Sequence, residues 1–342
     1  MVFLLDDVAD PMERIRRKLA VARLVDHLLE VFGADGHEYR LGPPLSLERV
    51  RRLEDKRGFT LPDSYVRFVT EIGDGGLTKE SPAETGAGPS HGLITLDRRR
   101  WDRKKSTRRE ALIGSLTAEQ WQERGRDLDE LDDDAVYKLM RATHDGVLEI
   151  GCGGCSDFYG LVVTGPARGS VISASWDHIP LDQCPRIVAD DFLTWYETWL
   201  DDVLNGGVRR SWQDHGLTAG EMFRRLRQGV DRGIAGVTSN LHLRMMGDLP
   251  RLKPKRLATL REYHETTDDA RLRDYCLALL AQFDPDATRP LLDNATDPLL
   301  IHILATRAPS LIPSFTDRLN RMRTKGQDLA DAVDLIRSVQ PS

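Results

Sequence analysis

Two short amphipathic segments that meet at Leu61-Pro62 constrain this chain more than any other stretch, because neither can bury its apolar stripe alone. Ser46 is a good helix N-cap, Leu47, Val50 and Leu53 recur at helical spacing, and Gly58 supplies a left-handed stop. Pro62 suits the start of a second helix, in which Tyr65, Phe68, Val69 and Ile72 share one face before Gly73. Asp74-Gly75-Gly76 closes the pair. Such a hairpin must pack on something else.

The sequence supplies a sheet for it. His91 to Asp97, Val147 to Gly151, Phe158 to Thr164 and Ser170 to Trp176 have strand character, and the turn-rich Gly165 to Gly169 joins the last two as an antiparallel hairpin. From Asp191 to Leu204 the helical period returns, with Phe192, Leu193, Tyr196, Trp199 and Leu200 on one side. This order predicts an α+β domain whose helices cover an antiparallel sheet, the leading pair on one face and the other face left for a partner.

The same residues resemble the SMI1/KNR4 (SUKH) family. The likeness is carried by Glu54, Leu61-Pro62, Tyr65, Phe68 and Gly75-Gly76, then by Gly154 and Asp157, Gly169 and Val171, and finally Asp191, Phe192 and Trp195. It covers roughly residues 46 to 203. Two features depart from the family pattern: a charged insertion near 98–142 and the Gly151-Cys152-Gly153-Gly154-Cys155 turn.

A chain of 342 residues exceeds the size at which a single core keeps growing, so two domains are expected. The predicted division is an N-terminal helix within 1–45, the α+β domain over 46–204, a linker over 205–220 and an all-α domain over 221–342. In the first part, Pro11 to Phe32 carries Ile15, Leu19, Ala22, Val25, Leu28 and Leu29 at helical spacing. In the last, helices are expected at Met222–Val230, Asn240–Leu249, Pro254–Glu265, Ala270–Phe283, Thr288–Asp293, Leu299–Arg307, Pro313–Arg323 and Gln327–Val339. Asp268 to Leu272 and Thr296 to Leu300 open two of these helices alike, which resembles degenerate HEAT-type hairpins; a plain helical bundle stands equally open.

A charged fraction of 30% and no apolar run near ~20 residues predict no membrane span, and Met1 to Leu5, followed by Asp6-Asp7, is too short for a signal peptide. A cytoplasmic location is expected. A net charge of −6 argues against general nucleic-acid affinity. Charge is nevertheless segregated: Arg98 to Arg109 is basic and Asp127 to Asp134 acidic, which reads as a solvated or self-pairing insertion.

Four cysteines do not make a disulfide framework. Cys152 and Cys155 have CxxC spacing, but a zinc site would need two more ligands, and Cys184 with His178 has the wrong separation for a common second half-site. The preferred reading is two small side chains in a glycine-rich turn, with no metal and no cofactor. Nucleophile-elbow, phosphate-loop, HExxH and dinucleotide motifs are all missing from the sequence in the contexts that would give them meaning.

A non-catalytic protein-binding role is therefore expected. The resemblance implies an immunity protein that occludes a polymorphic toxin such as a nuclease. A regulatory adaptor, or an enzyme using the cysteine turn, are the rival readings. Candidate partner-binding residues are Trp101, Trp121 and Trp176, in or beside loops, for which a core role stands equally open, and the acidic run Asp132, Asp133 and Asp134.

Overall fold

The computed structural model describes residues 5–76, 85–96, 109–126, 130–175, 183–206, 217–231 and 237–338. Contacts divide the chain into two compact units, one of Asp7–Arg16 with Phe32–Asp201, the other of Met1–Asp6, Arg17–Val31 and Asp202–Ser342. Helix α1 (Pro11–Val25) thus has its first residues in one unit and the rest in the other. It ends earlier than the apolar spacing suggests, since Leu29 takes a left-handed φ of 56° and a one-turn helix, α2 (Ala34–His37), follows.

In the first unit, α3 (Leu47–Arg57) and α4 (Asp63–Glu71) form the expected hairpin. Ser46 accepts the Arg49 N–H and Gly58, at φ 75°, ends α3. Buried Glu54 holds the corner by accepting the Leu61 N–H at 2.7 Å, while Arg51 pairs with its other oxygen at 2.7 Å. Leu47, at the first position of α3, stays exposed. Beyond α4, Asp74 accepts the N–H groups of Gly75 (2.8 Å) and Leu96 (2.9 Å) and the Thr95 hydroxyl (2.5 Å). Gly75 is required by close approach: a Cβ there would lie 2.2 Å from the Ile94 carbonyl oxygen.

The sheet runs β1 (Val147–Gly154), β2 (Asp157–Val162), β3 (Val171–Ser175) and β4 (Arg186–Ala189), all antiparallel and in chain order. Sequence reasoning missed β4. His91 to Asp97 is not a full strand: Leu93 bridges Gly86 and Gly151, and positive φ at Ser90 (54°) and Gly92 (90°) breaks the extended run. It still lies along the free edge of β1, with the Ile94 N–H on the Ile150 carbonyl at 3.0 Å.

Both faces of this sheet are covered. Tyr159 points to the face carrying α7 (Phe192–Leu204), its ring 5.1 Å from Trp195, and the aromatic packing continues through Phe192 to Tyr65 and Phe68 at 4.8 and 4.9 Å. Phe158 points the other way, into a core of Ala111, Ile113, Val147, Val162 and Ile172. The outer face expected to be open is therefore closed by part of the charged insertion, whose 109–116 stretch runs into α5 (Ala118–Arg124) and then α6 (Asp133–Thr143). Of the charged blocks read as solvated or self-pairing, residues 98–108 and 127–129 lie outside the described residues and Asp132 to Asp134 are exposed, while Ala111 and Ile113 between the blocks are buried.

The second unit holds α8 (Ala219–Asp231), α9 (Val237–Gly247), α10 (Pro254–Thr266), α11 (Ala270–Phe283), α12 (Pro285–Leu292), α13 (Asp297–Thr306), a 3-10 turn at Pro309–Phe315, α14 (Thr316–Arg323) and α15 (Gln327–Ser338). Asp269 caps α11, and α13 is capped by Thr296, with Asp297 in its first turn. Helix α11 is the central element, with Tyr275 to Ala281 buried and packing on α9, α10, α12 and α13. Residues 17–31 are bound into this unit: Arg17 pairs with Asp331 at 2.7 Å, the Tyr275 hydroxyl donates to the Leu28 carbonyl at 2.8 Å, and His302 Nδ1 donates to that of Val25 at 2.7 Å.

Candidate partner-binding surface

The six residues singled out from sequence separate into three groups. Trp101 and Trp176 lie outside the described residues. Trp121 is 2% exposed. The acidic run is on the surface.

Trp121 is turned inward by the way its helix begins. Thr117 accepts the Gln120 N–H while the Gln120 side chain returns to the Thr117 N–H, a capping box that fixes the first turn of α5. Arg124 lies over the indole at 5.4 Å and donates to the Leu139 carbonyl and the Thr143 hydroxyl, each at 3.2 Å, which ties α5 to the end of α6. As a buried side chain, Trp121 takes the core role of the two that were open to it and is not an exposed anchor for a partner.

Asp132, Asp133 and Asp134 have separate local jobs. Asp132 caps α6, accepting the Ala135 N–H at 2.8 Å. Asp133 and Asp134 occupy the first turn, where negative charge suits the helix dipole, and Asp134 pairs with Lys138 at 2.5 Å. All three remain exposed, so helix capping leaves their charge available.

Sequence reasoning missed the apolar groups beside them. Tyr137, 55% exposed, and Leu131, 40% exposed, flank the acidic turn, and Ile187 on β4 is 43% exposed. Ile187 pairs with Ile172 and so shares the outer sheet face, beyond the reach of the cover over Ile172. Nothing in the sequence marked Tyr137, because the helix around it was not read from its charged setting.

The cysteines and the histidines do not converge on a site among the described residues. Cys152 lies in β1 opposite Phe158, Cys155 sits exposed in the β1–β2 turn at φ 49°, and both are free thiols; His178 is outside the described residues. One buried group of potential metal ligands is present among the described residues, Asp26, Glu30 and His302 in the second unit. Asp26 accepts the N–H groups of Glu30 (2.7 Å) and Val31 (3.1 Å), and Glu30 is paired with Arg307, so the group forms a buried ion-pair network that pins the 26–31 turn.

In the first unit, then, an antiparallel sheet braced by a helical hairpin and a closing helix presents an acidic, partly apolar surface and defines an α+β domain. Residues 44–198 match the model of the SMI1/KNR4 family (SUKH-1). Neither a curated protein nor a solved structure matches the chain. Among the described residues no helix is long and apolar enough to cross a membrane.

Proposed function

We propose that this chain is a non-catalytic protein-binding module that serves in the cytoplasm as an immunity protein, neutralising a polymorphic toxin by binding and covering it. The observation that carries this reading is the SMI1/KNR4 match over 44–198, since members of that family are generally non-catalytic immunity proteins. The acidic turn at Asp132 to Asp134 supports a basic toxin domain, such as a nuclease, as the partner: exposed charge speeds and orients encounter. Exposed ion pairs contribute only about 0 to 1 kcal/mol each, so apolar groups such as Tyr137 must supply much of the affinity.

The test is affinity capture from the native host, followed by co-expression of each recovered toxin domain with this chain. Restored growth is the expected outcome. Failure of every recovered partner to be toxic, or toxicity unaffected by this chain, would reject the reading.

A further inference from the structure

Helix α6 carries a charge pattern that changes sign across one exposed aromatic. Asp133 and Asp134 precede Tyr137 by four and three residues, and Lys138 and Arg141 follow it by one and four. With 3.6 residues per turn, Asp133 and Arg141 fall on either side of Tyr137 on a single face, about 12 Å apart along the axis. All five residues are exposed, and the Arg141 guanidinium lies 5.7 Å from the Tyr137 ring centre. Around the rest of the helix Ala135, Val136, Leu139 and Met140 are only half-buried, Met140 one turn from Tyr137 on its own side; Thr143 is the helix's one buried residue. An acidic start and a basic end suit the helix dipole. The dipole does not account for the tyrosine between them.

We infer that this face of α6 pairs with the same face of a second copy of this chain, antiparallel, about a two-fold axis beside Tyr137. In that arrangement Arg141 of each copy lies opposite the Asp133–Asp134 turn of the other, and the two Tyr137 rings meet at the centre. The same face of a second copy, reversed, matches both halves of the charge pattern. The contact closes on itself, as an isologous interface must. A single helix face is small beside the ~1,200 Å² of a stable interface, so the association is weak and salt-sensitive. It does not rest on the immunity reading, but it uses Asp133, Asp134 and Tyr137, the groups that reading gives to the toxin, so one copy makes either contact and not both at once.

Sedimentation equilibrium of the full chain, from about micromolar to about millimolar protein at low and high salt, tests the pairing. The expected result is a monomer–dimer equilibrium that salt weakens and that Tyr137→Ala weakens about tenfold or more. Arg141→Asp alone, and Asp133→Arg with Asp134→Arg alone, are each expected to stay monomeric, while an equimolar mixture of the two variants dimerises again. Melting curves establish that the variants are folded. A parent chain that is monomeric throughout, or variants that dimerise as well as the parent, or a mixture of folded variants that fails to associate, would overturn the inference.

Discussion

The two faces of the sheet are covered by different kinds of chain. One face meets the regular helix α7, whose Phe192 and Trp195 form an aromatic layer with Tyr65 and Phe68 of α4. The other meets Ala111 and Ile113 from an irregular stretch next to a run of arginines and lysines. Burial is equally complete at the centre of both, with Phe192 and Ile113 each fully inaccessible. The difference teaches that a cover needs apolar side chains in the right place, and that periodicity is only one way of placing them.

The largest effect should come from the regular side. Phe192→Ala removes a ring that touches Tyr65, Phe68, Trp195 and Tyr196, and is expected to cost about 4 kcal/mol in denaturant unfolding. Ile113→Ala tests the other side, with an expected cost of about 3 kcal/mol if the 109–116 stretch is a true cover. A loss under about 0.5 kcal/mol, as for an ordinary surface site, would break the comparison and return the insertion to solvent.

A pH effect of similar size is expected where the regular side meets the 85–93 hairpin. His37 is fully buried between Tyr39 and Trp199, and its Nδ1 accepts the Tyr39 N–H at 3.0 Å. Burial holds its pKa down to about 4, although the Gly88 carbonyl and Asp35 pull it partly back up. The unfolded chain therefore takes up a proton near pH 6.5 and the folded chain only near 4, so stability is full above that window and falls through it by about 3 kcal/mol. His37→Asn keeps an acceptor without the titration. The parent should lose that much more than the variant between pH 7 and 4, and parallel slopes would show that the ring is not buried as described.

Legibility follows the same division. The α3–α4 hairpin, α7 and α11 were readable because an apolar stripe, a cap and a stop agree along each of them. Residues Glu54, Gly75 and Asp191 could be singled out before their contacts were known, and the structure gives each a reason, Asp191 capping α7 through the N–H groups of Leu193 and Thr194. Strand β4 escaped because four residues after Pro185 carry no usable alternation. Ala111 and Ile113 escaped because charge dominates their neighbourhood, and Tyr137 because exposure is a tertiary property. The acidic turn was visible as charge, but its place at the start of a helix was not.

That place bears directly on how the surface can be tested. Neutralising Asp132 along with Asp133 and Asp134 removes both negative charge and the cap of α6, so lost binding would have two explanations. Asparagine caps a helix about as well as aspartate, whereas alanine does not. Asp132→Ala is therefore expected to cost about 1 kcal/mol of stability by thermal or denaturant melting, and Asp132→Asn only a few tenths. If the charge itself matters to a basic partner, Asp132→Asn should slow association at low salt while leaving the melt in place, and the deficit should shrink as salt is raised. Weakened binding by the alanine variant alone would instead mean that the ordered first turn of α6, with Tyr137 one turn further on, is what the partner requires.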